Sequence, residues 1–556
     1  MVPGLALLGG VVLLALPAAT LLAATAGFAL GLPVSALALA VGAAAASAVA
    51  WGARARAGGL RRAAALFVLC AAFALATLPV ALLRYDTSWD GQTYHQQAVI
   101  ALARGWNPFA APLAPGDFTF ARWDNAMAKG TWVVEAALYR LTGRLEAAKG
   151  VHLVVAAGSF LCALAALVAV PGLGKRAALA CAALAALNPV TLTQASTFYV
   201  DGHLASAILA FAACAFLAIE RRDHLALLGM LTATVLLATA KLSGAFYAAV
   251  LWALACAAAL ARAGMGRALR LGAAGAAALA LAVLGPGWNP YVTNTVRHGH
   301  PFYPMAGPRG YPVVAGSRPP EFERMNRAER LLRSTFAATS NDIAAGARLK
   351  VPFTLVGTEA PLSGACDLRL GGFGPFFGGA LLLSLGALAF ATRRGAAAAG
   401  LVGAGLLATV LSTGEGWWAR LAPQFWLVPV TLALAPLASP ARRGARLAGA
   451  LALAALLGDA ALVAVNNVNR GGSVQRELRR QLAALAAGPQ PVDVRFSSFE
   501  AIGVRLGEAG IRFRAVDELP CAAPVYLAGT RGVETGVLLC MPAGSAEAPR
   551  PPRGAP

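Results

Sequence analysis

Residues 84–109, RYDTSWDGQTYHQQAVIALARGWNPF, carry the groups most able to do chemistry in this chain. Two acids, Asp86 and Asp90, and two bases, His95 and Arg104, follow directly on a long apolar run. Ionised groups at the end of a membrane helix are costly unless hydrated or paired, and they mark chemistry or transport. Asp90 stands first among them. It precedes a helix-like run beginning at Gly91, where exposed N–H groups stabilise a carboxylate. The same position suits a plain N-cap, and a cap can also act as a base. His95 reads either as a hydrated loop histidine or as a group that binds phosphate or helps hold a metal.

Further candidates lie far along the chain. Asp201, in STFYVDGHLAS, sits in a short turn between two apolar runs, with His203 two residues on. Such a turn places both at the membrane face that carries Asp90; the plainer reading of Asp201 is a turn acid before glycine. Lys241, in LLATAKLSGAF, is a snorkelling lysine or a counter-charge for phosphate. Arg297, His298 and Arg420 could serve the same purpose, and a guanidinium fork suits phosphate better than an ammonium. Trp417 and Trp418, beside Arg420 in TGEGWWARLAPQFW, read as interface anchors or as rings on which a sugar stacks. Whether a metal is needed is unknown from these residues. Asp90 and Asp201, with His95 or His203, would suit Mg²⁺ or Mn²⁺, although no tight ligand motif is present.

These residues need a scaffold, and composition names its class. Of 556 residues, 58% are hydrophobic and 13% charged, against about a quarter charged in soluble proteins. The chain therefore reads as an all-α polytopic membrane protein of about thirteen apolar segments. Its net charge of +21 is spread in short clusters between apolar runs, which excludes a nucleic-acid patch. The first fifty residues hold no Lys or Arg, so they read as retained helices and not as a signal peptide. Five of the eight cysteines lie in apolar runs; Cys521 and Cys540 lie in a polar segment and could bridge in an oxidising compartment.

Charge gives the topology. With the N-terminus inside, six basic connections, from Arg54–Arg62 to Arg442–Arg446, fall on one side. The other side receives 84–150, 199–203, 288–371 and everything after 466. The first of these connections shows two partly apolar helical faces, near 92–104 and 132–141, which suits amphipathic helices lying on the bilayer surface. Residues 321–333 read as a charged helix. The organisation is thus two additional spans in 1–62, a membrane core in 63–465, a small extracytoplasmic α/β domain in 466–545, and a disordered tail in 546–556.

Taken in order, WDGQTYHQQAV…GWNP, FYVDG, TAKLSG, NPY…GHPFYP and WWARLAPQFW resemble the C-type (GT-C) membrane glycosyltransferases. These are the polyprenyl-phosphate-sugar-dependent enzymes related to protein O-mannosyltransferases and lipid A aminoarabinose transferases. The resemblance covers roughly residues 63–440. It implies a bacterial inner-membrane enzyme that takes a polyprenyl-phosphate-linked sugar from the bilayer and passes it to a glycan, lipid or protein hydroxyl, with Asp90 as base. Asp201 would be the second-loop acid. Many relatives carry a second acid directly after the first; Gly91 stands there in this chain. A transporter or lipid flippase would instead place charges or broken helices at mid-membrane. Another polyprenyl-linked ligase or polymerase would rely on Arg and His in place of a first-loop acid.

Overall fold

The computed structural model describes residues 2–439, 443–530 and 536–542. The predicted tail, 546–556, lies outside them. Almost every apolar run is helical, because a backbone removed from water must satisfy its own N–H and C=O groups. Among the described residues, eight helices are long and apolar enough to cross a bilayer, and four more apolar helices are shorter. The apolar run 177–196 is not one span but two helices, Lys175–Ala186 and Pro189–Gln194. The break has a local cause. The Asn188 side chain accepts the Thr191 N–H at 3.0 Å, and Pro189 opens the second helix.

Val2–Ala29 is the central helix, packed on Leu37–Gly52, Gly150–Val168 and His224–Ala240. Glycine permits a close crossing with Gly150–Val168. A Cβ on Gly10 would lie 2.6 Å from Cys162 Sγ and 2.9 Å from the Gly158 carbonyl oxygen. Lipid gives helices no hydrophobic reason to associate, so close backbone approach at small residues must supply the packing.

The two ends of the bundle differ. At one end, Arg56 pairs with Asp223 at 2.5 Å, Arg221 donates to the Ala169 carbonyl and Arg267 to that of Ala218. The basic connections near residues 56, 169, 222 and 267 therefore share that end, as their alternation along the chain predicts. At the other end lie the long polar connections. The helices predicted to rest on the membrane surface do not do so: Gln96–Ala103 is buried along its whole length, and Gly130–Thr142 is buried through Ala137. The second packs on the central helix and on His224–Ala240. Gln97 of the first donates to Glu500 of the C-terminal region, which covers it. Both faces are used, one against the bundle and one beneath this cover.

Arg443–Ala487 is one helix of 45 residues. At 1.5 Å per residue it is about 68 Å long, twice the hydrocarbon core, so it rises out of the bundle into the C-terminal region. There β1 (Val492–Arg495), β2 (Phe513–Ala515), β3 (Val525–Tyr526) and β4 (Leu538–Leu539) form a sheet in the order β2-β1-β4-β3. β1 and β2 are parallel, joined through the helix Ile502–Glu508; β4 is antiparallel to β1 and β3. Leu478, Leu482, Val494, Ile502 and Leu539 make a separate core. Cys521 and Cys540 are bonded.

The Gly10 crossing is testable. Gly10→Ala should lower the melting temperature of the detergent-solubilised protein, at a cost of about 1–3 kcal/mol for overpacking. Gly52→Ala, where a Cβ meets nothing within 4 Å, should leave it unchanged or slightly raised.

Candidate active site

Asp90 does not cap a helix. Its backbone is already α-helical, its side chain makes no capping bond, and a π-helical turn, Gly91–His95, follows. Such turns are frequent at functional sites. Freed from the backbone, Oδ2 of Asp90 accepts from Arg420 Nη1 at 2.8 Å and from the Tyr94 hydroxyl at 3.0 Å.

Arg420 is the hub. Its Nη1 also lies 3.6 Å from Asp201 Oδ2, and its Nε lies 3.0 Å from Asp367 Oδ1. The guanidinium sits over the rings of Trp418 and Tyr199, at 4.5 and 5.1 Å from their centres. Lys241 Nζ pairs with Asp201 Oδ1 at 2.5 Å, and Gln194 Nε2 donates to Asp201 Oδ2 at 3.2 Å. Asp367 also takes Arg369 at 2.7 Å and the Trp418 N–H at 3.0 Å. Three acids thus meet three cations. Burial opposes the charge on Arg420, but Asp367 and then Asp90 outweigh it and hold its pKa above the usual arginine value. Burial, and then the Asp90 charge, push the Tyr94 hydroxyl well up, so it stays a neutral donor.

A second network fixes the segment that carries Asp90. Asp86 Oδ1 accepts from Ser88 N and Oδ2 from Phe198 N, both at 2.7 Å, which ties the first connection to the turn before Asp201. Arg505, in the C-terminal helix Ile502–Glu508, donates to the Asp86 carbonyl at 2.7 Å and to Glu146 Oε1 at 2.9 Å. Glu146 Oε2 in turn accepts from Asp86 N and pairs with Lys149. Gln475 exchanges two hydrogen bonds with the Tyr85 backbone. Gly91 follows from this arrangement. A Cβ there would fall 2.0 Å from Asp86 Oδ2, so the buried carboxylate of Asp86 occupies the space an acid at 91 would need.

Four predicted residues, Asp90, Asp201, Lys241 and Arg420, therefore converge. Others do not join them. Asp86 is fully buried and supports the backbone; it has no face for a substrate. His95 is buried between Tyr94, Trp132 and Tyr199, and its Nδ1 accepts the Trp132 N–H at 2.7 Å. Burial holds its pKa well below the histidine range, so it is neutral and has no charge to offer phosphate. His203 faces away from the cluster, lining a small cavity of about 50 Å³ with His152 and Gln194 that Asp201 does not line. Trp417 packs on Phe322 with ring centres 5.0 Å apart and donates to Glu415, so it belongs to a core; its neighbour Trp418 is the ring that touches Arg420. Arg297 and His298 sit in a separate cluster, described below. The sequence reasoning missed Asp367 and Tyr94. Asp367 lies in a long loop with no motif around it, and only its partners identify it.

The residues do not fit the Mg²⁺ or Mn²⁺ reading. Lys241 and Arg420 already supply the positive charge facing Asp90 and Asp201. Among the described residues, no three His, Cys, Asp or Glu side chains are grouped to hold a metal ion.

Removing Arg505 should expose the second network. Arg505→Ala leaves Glu146 Oε1 and the Asp86 carbonyl buried without their donor, and should cost about 3 kcal/mol, read as a fall in melting temperature. Arg514→Ala, which breaks a solvent-exposed pair with Asp493, should change nothing measurable. Gly91→Ala should also destabilise, and Asp86→Asn should not rescue it, because the amide of Asn fills the same space as the carboxylate.

No family model matches the sequence, and no curated protein matches it. Among solved structures, the chain is similar to the crystal structure of ArnT from Cupriavidus metallidurans bound to undecaprenyl phosphate. The two are 14% identical, the match covers 86% of this chain and 99% of the other, and the TM-score is 0.43.

Proposed function

We propose that this protein is an integral membrane glycosyltransferase. It moves a sugar from a polyprenyl-phosphate donor to an acceptor hydroxyl at the extracytoplasmic face of a bacterial inner membrane. The observation that carries this reading is the convergence of Asp90, Asp201 and Asp367 on Arg420, with Lys241 beside them, at the end of the bundle opposite the basic connections. A transporter would place such charges at mid-membrane.

The chemistry follows from the donor. Its leaving group is a phosphate anion that needs no protonation, unlike an ordinary glycoside, where two carboxylates share the work. The acceptor oxygen attacks the anomeric carbon as the bond from that carbon to the phosphate oxygen breaks, and the electron pair leaves with the phosphate. The acceptor proton passes to Asp90. Arg420 and Lys241 stabilise the charge that develops on the phosphate. One displacement from the opposite face inverts the anomeric centre.

The ion pair between Asp90 and Arg420 sets an order of events. Oδ2 of Asp90 already accepts from both Arg420 and Tyr94, so that oxygen is not free to take an acceptor proton while the pair stands. Donor phosphate competes for Arg420, and Asp90 becomes a competent base only when that competition succeeds. Free hydroxyls are thus not activated until the donor is seated.

In membranes supplied with a polyprenyl-phosphate sugar, Asp90→Asn should lower transfer by about 10²–10⁴-fold, the range for loss of a general base. Donor binding, measured by retention of the labelled lipid, should be unchanged or tighter, because Arg420 is released. Arg420→Gln should weaken donor binding. Transfer by Asp90→Asn at near the wild-type rate would remove Asp90 from the role of base.

A further inference from the structure

The connection after the Met265–Leu284 helix gathers cations that no acid neutralises. Arg122 Nη2 donates to the Tyr303 hydroxyl at 2.9 Å, and its guanidinium lies 6.0 Å from the centre of the Tyr311 ring. Arg309 Nη1 donates to the Arg297 carbonyl at 2.7 Å. His298 stacks on Tyr303 with ring centres 3.7 Å apart. Burial, then Arg309, Arg122 and Arg297, hold the His298 pKa below its ordinary value, so all three guanidiniums bear on one imidazole. Among the described residues, none of the three arginines forms an ion pair with an acid.

This differs from the other clusters at the same end. Arg420, Arg505, Arg369 and Arg318 each meet a carboxylate. Arg122 and Arg309 are oriented by a phenol and a backbone carbonyl, which fix a guanidinium without cancelling its charge. All three arginines are exposed. Beside them are exposed apolar side chains: Trp288 at 39%, Val296 at 80% and Met305 at 45%. Fixed, uncancelled guanidiniums next to exposed apolar groups, just beyond the end of an apolar span, match the headgroup layer of a bilayer. Guanidinium forks are matched to phosphate oxygens.

We propose that Arg122, Arg297 and Arg309 form a binding site for the phosphodiester headgroup of an anionic phospholipid. The lipid belongs to the leaflet on the side of the C-terminal domain, since the Thr119 N–H, three residues before Arg122, donates to Glu500 of that domain at 3.2 Å. Its acyl chains lie along Val296 and Met305. The site is separate from the Asp90–Arg420 network and does not depend on the transferase reading.

The test is photolabelling of the full chain in nanodiscs with phosphatidylglycerol bearing a photoactivatable acyl chain. The peptide spanning 288–311 should be labelled. Labelling should fall about ten-fold in R122Q/R297Q/R309Q, the effect expected from losing charge-assisted phosphate contacts. Unlabelled phosphatidylglycerol should compete, whereas phosphatidylcholine and inorganic phosphate should not. Equal labelling of the triple variant, or equal competition by phosphatidylcholine, overturns the site. Competition by inorganic phosphate as strong as by phosphatidylglycerol makes it a free-anion site and overturns the lipid assignment. Should the triple variant fail to fold, Tyr303→Phe decides alone. It removes the hydroxyl that orients Arg122 and should lower labelling, and unchanged labelling counts against the site.

Discussion

A guanidinium taken largely out of water must be surrounded by acids, and the polar end of this molecule is arranged around that requirement. Arg420 meets Asp90, Asp201 and Asp367, which come from three different connections. Withdrawing a charge from water costs several kcal/mol per ion after relaxation, and only close, multiple partners offset it. The helices must therefore end at one level and their connections must fold inward over one point. The aromatic faces of Trp418 and Tyr199 complete the shell. They exclude water and strengthen every interaction inside it.

The same logic explains the C-terminal domain. Its sheet has a core of its own, yet its helix sends Arg505 beneath the segment that carries Asp90. Arg505, Glu146 and Lys149 form a second buried set of charges, joined to the first through the backbone from Asp86 to Asp90. Asp86 fills the space beside Gly91. The domain thus acts as a wall of the site, and the position of the carboxylate proposed as base depends on residues more than four hundred positions away.

Cations are used in three ways. At one end of the bundle they lie on the basic connections and bond backbone carbonyls or a nearby acid. In the site they are matched to acids, which leaves geometry and not net charge to discriminate among ligands. In the third cluster Arg122 and Arg309 are held by a phenol and a backbone carbonyl, and neither they nor Arg297 pairs with an acid among the described residues. A formal charge of +21 says nothing of this division, because pairing is decided by contacts and not by composition.

Hydropathy and the spacing of basic clusters were enough to assign an all-helical membrane bundle with basic connections at one end. Both are properties of short windows, and a backbone in lipid has few other options. They also marked Asp90, Asp201, Lys241 and Arg420, since a charge at the edge of an apolar run is conspicuous. What tertiary structure alone decided depends on contact between distant segments. Asp367 is one acid in a featureless loop until Arg420 and Trp418 meet it. His95 looks titratable until Trp132 and burial make it neutral. Residues 92–104 look half exposed until a second cover closes over their polar face. Gly91 looks like a missing acid until the Asp86 carboxylate is seen in its place. Periodicity records which residues avoid water, and only packing settles what stands next to a charge.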